Sequence, residues 1–318
     1  MFAICIESSH ARGMGHFYRA LNLAEGLAAA GRSFVFYIND HLSSRELLAK
    51  RSIPHRVVRL DNKDFDWQAM LIEQDEIRVW VDDRLDTDLE HARRVRATGT
   101  LMATFDNRGS GAEAANLHVA ALSFDRSERL GGGKVLRGVD YLVLNSQISR
   151  YARLREKMRS ILVTLGGSDT YGVTLKVIQS LRESGLTATV VVGPAFMHLQ
   201  QLEPLISEGL VLKKGVASMI NEFSRHDLAI TGGGITPFEA NACGLPCVVV
   251  ANELHEIPVG RELQRLGGCV YAGHHESLSL PLVSGYLSIE KMSSAGMRNI
   301  GSGGTSRVVA ALLELEAR

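Results

Sequence analysis

FAICIESSHARGMGHFYRALNLAEGLAAAGRSFVFYI, residues 2–38, divides into four pieces. Phe2–Ile6 is an apolar run of strand length, ended by the polar, glycine-bearing stretch Glu7–Gly15. Phe17, Ala20, Leu21, Leu23, Ala24 and Leu27 then recur at helical spacing. Gly31 closes that helix, and Phe34–Ile38 reads as the next strand. Strand, glycine loop, helix and strand in this order make a βαβ unit, the building block of a parallel sheet.

Working outward, short apolar runs recur at Arg78–Val81, Leu101–Phe105, Val119–Ala121 and Tyr141–Leu144. The chain turns polar and basic through Ser146–Ser160, then restarts with Ile161–Leu165 and the loop Gly166-Gly167-Ser168-Asp169. A second series of strands is expected near Thr189–Val192, Val211–Leu212, Leu228–Thr231, Cys247–Ala251 and Cys269–Tyr271. The expected fold class is therefore α/β, with two Rossmann-like, doubly wound domains at 1–150 and 151–318 that face a cleft. The helical stretch Ser306–Leu315 is expected to pack back over the first domain. In such sheets ligands sit at the carboxyl ends of the strands.

Composition narrows the function. In 318 residues, 35 basic side chains balance 35 acidic ones, so no overall positive field gathers nucleic acid or anionic lipid. Aromatics at 6% supply no stacking platform for single strands. No run approaches the roughly 18 apolar residues of a membrane span, and Phe2–Ile6 is too short for a signal peptide, so a cytoplasmic protein is expected. Cys5, Cys243, Cys247 and Cys269 lie in or beside apolar runs, and Cys243 and Cys247 lack the second cysteine pair or close histidine of a zinc site. Neither a metal nor another cofactor is assigned; the expected partner is a small anionic molecule held locally.

Leu228–Thr231 runs into Gly232-Gly233-Gly234, and a helix starts at Ile235 or Thr236 with Pro237 in its first turn, where a missing N–H costs little. Three glycines let backbone N–H groups approach a phosphate; a tight turn alone is the structural alternative. Glu239, one turn on, is placed to accept from ribose hydroxyls. In the first half, Gly13-Met14-Gly15-His16 puts a histidine at a helix start, where the positive end favours the neutral imidazole that serves as a general base. Asp82-Asp83-Arg84 and Asp106-Asn107 end two strands on the same sheet edge and offer carboxylates to orient the histidine or to bind sugar hydroxyls. Helix capping is the alternative for each aspartate.

Gly13–Ala24, Val163–Asp169 and Gly232–Pro246 together resemble the UDP-sugar hydrolase of pseudaminic acid biosynthesis and its spore-coat polysaccharide relatives, which have the two-domain GT-B-like fold of inverting glycosyltransferases. The second half also resembles the UDP-binding half of the N-acetylglucosaminyl transferase that makes lipid II. The resemblance implies that Gly15 and His16 match the glycine and the catalytic histidine, with Gly13 and Arg19 in the same motif. It implies that Asp82 and Asp106 lie near the sugar. By the same likeness, Gly234, Ile235 and Thr236, with Gly233, Gly166 and Gly167 beside them, meet the diphosphate, Glu239 the ribose, and Val216 to Met219 the uracil. Two departures bear on the sugar: Asn252-Glu253-Leu254-His255 stands where an Asn-Gln pair is common, and Asn107 where a second aspartate is common.

The implied reaction is cleavage of a UDP-linked acetamido or deoxy sugar at the anomeric carbon, with His16 as base and inversion of the sugar. Two alternatives stand beside it. A glycosyltransferase would use the same donor, but the first half shows no amphipathic basic stretch for a lipid acceptor. A nucleotide-sugar-binding protein without catalysis would need only the second half, and leaves the glycine-flanked histidine unexplained.

Overall fold

The computed structural model describes residues 1–318 except 9–13, 63–65, 126, 194, 279 and 281–286. The chain forms two compact units: His16–Val143, with the strand Phe2–Ile6 and the returning segment Gly303–Arg318, builds one, and Leu144–Ser302 the other.

The first unit holds a seven-stranded sheet of β1 (Phe2–Ile6), β2 (Phe34–Ile38), β3 (His55–Val57), β4 (Val79–Asp83), β5 (Leu101–Phe105), β6 (Leu117–Ala120) and β7 (Lys134–Arg137), in the order β3-β2-β1-β4-β5-β6-β7. Every pairing is parallel. β1 and β4 are buried along their whole length, as expected of strands covered on both faces. One face packs Trp80 flat on Tyr37, ring centroids 5.1 Å apart, among Cys5, Trp67, Leu71, Ala92 and Val95. The helix Gly304–Glu316 lies against β4, β5 and β6.

The run Tyr141–Leu144, expected as a strand, is instead a 3-10 turn at Val139–Tyr141 followed by irregular chain. Gly138 at φ 94 turns the backbone out of the sheet. Leu142, Val143 and Leu144 are nevertheless buried, and a Cβ on Gly304 would fall 2.1 Å from the Leu142 carbonyl oxygen. Their apolar character thus serves burial outside a sheet, with Leu142 against the start of the last helix. The edge strands β3 and β7 escape the pattern because His55–Val57 is only three residues long and Lys134 and Val135 are exposed.

In the second unit, β8 (Ile161–Thr164), β9 (Ala188–Val192), β10 (Leu210–Lys214), β11 (Leu228–Gly232), β12 (Cys247–Ala251) and β13 (Cys269–His274) form a parallel sheet in the order β10-β9-β8-β11-β12-β13. Its core joins Val163, Val190, Ile230, Val248 and Val250 from the strands to Val177, Ile178 and Leu181 of the helix Val173–Glu183. Strand order reverses at β8, with β9 on one side and β11 on the other, so the loops after β8 and β11 diverge at the point where such sheets take ligands.

Candidate functional site

In the first unit, the helix Gly15–Ala29 begins at the carboxyl end of β1 and carries His16 and Arg19 three residues apart, on one face. That face meets Asp83 at the end of β4. His16 Nδ1 lies 2.6 Å from Asp83 Oδ1, and Arg19 Nε donates to Asp83 Oδ2 at 2.8 Å. The two Nη groups of Arg19 pair with Asp83 and with Asp106 at the end of β5. Burial pushes the Asp83 carboxyl up, but the charge of Arg19 and the hydrogen bonds from Arg19 and His16 outweigh it and hold Asp83 below the usual carboxylate range. An ionised oxygen 2.6 Å from an imidazole nitrogen requires a proton on that nitrogen. The proton therefore sits on Nδ1, so that in the neutral ring the lone pair is on Nε2. Arg19 Nη2 stands 3.2 Å from Nδ1 and, with that nitrogen protonated, donates to Asp83 Oδ1.

Asp106 occupies a left-handed backbone position, φ 42, uncommon for a residue with a side chain. Its Oδ1 accepts from the Leu122 N–H at 2.8 Å and its own N–H donates to Val119, so both ends of the residue are fixed. Arg19, expected to meet the ligand, is buried and divides its guanidinium between two carboxylates, one of them buried. Gly15 has open space above it, and Gly13 lies outside the described residues.

Asp82, expected beside His16, is on the other face of the sheet. Successive residues of β4 alternate, so Val79, Val81 and Asp83 point one way and Trp80 and Asp82 the other. Asp82 is fully buried against His91 Nε2 at 2.9 Å, Arg84 Nε at 3.1 Å and the Thr87 hydroxyl. It belongs to the packing behind the sheet, and Asp83 takes the place assigned to it. Cys5, Asp82 and His91 bring three ligand-type atoms within 4.8 Å of one another there, but Asp82 is already neutralised by Arg84 and burial pushes the Cys5 thiol up. Asn107 accepts from the N–H groups of Thr87 and Gly109 and shapes that turn.

In the second unit the expected residues fall on loops at the carboxyl ends of the strands. Among the three glycines after β11, a Cβ on Gly232 would meet Asn252 Nδ2 at 2.8 Å and one on Gly233 would meet the Glu256 Cβ at 2.7 Å, whereas Gly234 has nothing within 4 Å. None of the three needs a positive φ. Two of these glycines are thus required by close packing, and the third leaves backbone open to a visitor. Gly166, at φ 99, is similarly open, and Gly167 packs so tightly that a Cβ on Gly193 would lie 2.4 Å from its carbonyl oxygen. Asp169 is spent on its own helix, accepting from Val173 and Thr174 N–H at 2.8 Å. Val216 and Met219 flank Ser218, which caps the helix Met219–Ser224, and no hydrogen bond ties them to the glycine loop among the described residues.

Glu239 lies in the helix Thr236–Ala242, and its Oε1 accepts only a long hydrogen bond, 3.3 Å, from the Asn145 N–H among the described residues. Burial pushes its carboxyl up to about 7, the Asn145 N–H drawing it back only in part. Glu256, which the sequence did not single out, accepts from Asn252 N–H at 2.7 Å and Gly233 N–H at 3.3 Å through one oxygen, Oε2. Tyr171 was not singled out either; its hydroxyl donates to Glu253, one of the residues of the departing segment, at 2.8 Å. Glutamates in a loop carry no pattern in sequence, and only the return of the chain after β12 brings them to the glycines.

No protein-family model matches the chain. It is 28% identical over 277 residues to an uncharacterised protein of Methanocaldococcus jannaschii, covering 79% of this chain and 56% of that one, so it spans little more than half of this relative. It is 23% identical over 285 residues to the spore coat polysaccharide biosynthesis protein SpsG of Bacillus subtilis, covering 85% and 83% of the two chains. Among solved structures it is similar to MurG of Acinetobacter baumannii, with a TM-score of 0.70 at 14% identity over 98% of this chain and 99% of the other. It is likewise similar to MnaA of S. aureus, solved with UDP, with a TM-score of 0.67 at 14% identity over 99% and 97%. The fold is the two-domain, parallel-sheet α/β fold of GT-B proteins. No described helix is long and apolar enough to cross a membrane.

Proposed function

We propose that this chain hydrolyses a nucleotide-diphosphate sugar, a UDP-linked acetamido or deoxy sugar, at its anomeric carbon. The observation that carries the reading is the His16–Asp83 pair: an imidazole held by a buried carboxylate through Nδ1, which leaves Nε2 to take a proton when the ring is neutral. In the proposed step a water gives a proton to His16 Nε2 while its oxygen bonds to the anomeric carbon. The bond from that carbon to the diphosphate oxygen breaks, the electron pair leaves with UDP, and the sugar is inverted. Asp83 stabilises the imidazolium as it forms, as a buried carboxylate does in other His–Asp pairs. Arg19 and Asp106 position the pair.

In the second unit, the open backbone at Gly234, with Ile235 and Thr236, takes the diphosphate, Glu239 the ribose hydroxyls, and the segment from Val216 to Met219 the base. Asn252 and the loop Gly166-Gly167 border the same sheet edge. The fold shared with a protein solved with UDP and the similarity to a polysaccharide biosynthesis protein support this choice of ligand. A glycosyltransferase would use the same base on an acceptor hydroxyl. Release of free sugar together with UDP, without added acceptor, separates the two.

Calorimetric titration with UDP in the presence of a chelator tests the nucleotide site. Glu239→Ala is expected to bind UDP about tenfold to a hundredfold more weakly, the worth of hydrogen bonds to a charged group. The pH dependence has a definite sign. Ribose hydroxyls donate to the ionised carboxylate, so nucleotide binding favours deprotonated Glu239, whose carboxyl stands at about 7 in the free protein. Through Glu239, affinity should rise toward pH 7 and level off above it, and each pH unit below should cost up to about tenfold. Loss of this slope in Glu239→Gln is the check. Equal UDP affinity in wild type and Glu239→Ala would remove Glu239 from the site. Asp83→Asn is expected to lower turnover about a hundredfold or more with UDP affinity kept, since the amide no longer fixes the proton on Nδ1.

A further inference from the structure

The glycine loop after β11 already holds an anion of its own. Glu256 Oε2 accepts the N–H of Gly233 at 3.3 Å and that of Asn252 at 2.7 Å, and a Cβ on Gly233 would be 3.1 Å from the same oxygen. Gly234, the open position, is the next residue, and consecutive Cα atoms are about 3.8 Å apart. A phosphate received at Gly234 therefore arrives beside a carboxylate. Burial pushes the Glu256 carboxyl up and the neighbouring charge of Glu253 adds to this, while the N–H groups of Asn252, Gly233 and Glu253 draw it back. Around it stand Glu253, Tyr171 with its hydroxyl committed to Glu253, and Tyr271, itself near Arg261. Among the described residues no cationic side chain forms an ion pair with Glu256.

We propose that Glu256 makes nucleotide-diphosphate binding proton-linked: as the diphosphate settles at Gly234, Glu256 takes one proton from solvent and meets the phosphate as a neutral acid. The inference rests on the nucleotide-sugar reading of this loop. It assigns to Glu256 a specificity as well as a pH role. A carboxylate beside the loop rejects an added negative charge unless a proton accompanies it, because two like charges at this separation cannot both stay ionised without cost. The sign is opposite to that of Glu239. Through Glu256, affinity falls as pH rises, since the free protein has then lost the proton that the complex needs.

The test is the UDP affinity of wild type and of Glu256→Gln, measured by calorimetry from pH 6 to pH 8.5. Gln keeps an oxygen for the two N–H groups and removes the charge. The titration of UDP itself is common to both proteins and cancels in the ratio of affinities, as does that of Glu239. The affinity of the variant relative to wild type should rise by about tenfold or more between pH 6 and pH 8.5. Wild type, titrated at pH 8 in Tris and in HEPES, should show net proton uptake from the difference in heat. A ratio that stays flat across the range, or absence of proton uptake by wild type, would overturn the proposal and leave Glu256 as a holder of the loop. If neither protein binds any nucleotide diphosphate at any pH, the nucleotide reading itself falls, and the proton linkage with it.

Discussion

Replacing His16 with alanine is expected to lower the rate of UDP release from the cognate sugar nucleotide by about 10²- to 10⁴-fold, the range ascribed to a positioned general base. UDP affinity should stay within about twofold of wild type, because the loops assigned to the nucleotide belong to the other unit and His16 is committed to the proton on water. The split between turnover and binding is what gives the experiment its force. Removing the imidazole also frees Asp83, but Arg19 still holds that carboxylate through Nε and Nη2, so the buried charge keeps its partner and the fold is expected to survive. Steady-state release of UDP, with calorimetric affinity measured beside it, checks both halves. Unchanged turnover would remove His16 from the chemistry and favour a protein that binds nucleotide sugar without cleaving it. A parallel loss of affinity and turnover would make His16 a binding residue.

The second large effect is on stability. Arg155 is 1% exposed and has no carboxylate partner among the described residues. Its guanidinium donates instead to backbone carbonyls: Nη1 to Arg153 at 2.7 Å and to Cys243, Nη2 to Phe223 at 2.7 Å, and Nε to His226 at 3.2 Å. Cys243 ends the helix Thr236–Ala242, and Phe223 and His226 lie at the end of the helix Met219–Ser224. The cation thus adds a charged donor at the negative ends of two helices at once. Burial pulls Arg155 down to about 10, with Arg153 adding to the effect, and the group still carries its charge at neutral pH. Arg155→Met removes these charge-assisted hydrogen bonds and, among the described residues, leaves the Arg153 carbonyl without a donor, while the carbonyls of Cys243, Phe223 and His226 each keep a second one. One unsatisfied carbonyl at about 1–3 kcal/mol, with the weakened bonding of the other three beside it, puts the loss at about 2–4 kcal/mol. Scanning calorimetry should show the transition of the second unit falling well below that of the first. Arg155→Lys, with one compact head in place of a planar fork, should restore only part of the loss. A change below about 1 kcal/mol would mean that water replaces the guanidinium.

The fold was legible where periodicity was strong. Phe2–Ile38 gave strand, loop, helix and strand with boundaries that the structure keeps, because an apolar run buried on both faces and a glycine stop leave little choice. Where apolar residues are buried by something other than a sheet, the same signal misled: Leu142, Val143 and Leu144 are buried but form no strand. The site was legible in kind and incompletely in person. His16, Arg19 and Asp106 were identified, and the structure links them through Asp83 and the Arg19 guanidinium. Between Asp82 and Asp83 the sequence offered no choice, since a strand of a parallel sheet is apolar on both faces and either carboxylate could lie beside the histidine.

By itself the sequence determined two α/β halves, glycine loops at the ends of their strands, and the absence of any long apolar span; these depend on neighbours close along the chain. The tertiary structure decided which face of β4 receives His16, how Arg19 is divided between Asp83 and Asp106, and that Glu256 seats its carboxylate on Gly233. Each of these joins residues from 23 to 87 positions apart. Only the order in which the strands lie side by side brings them together, and that order is set by packing over the whole sheet and not by any local run.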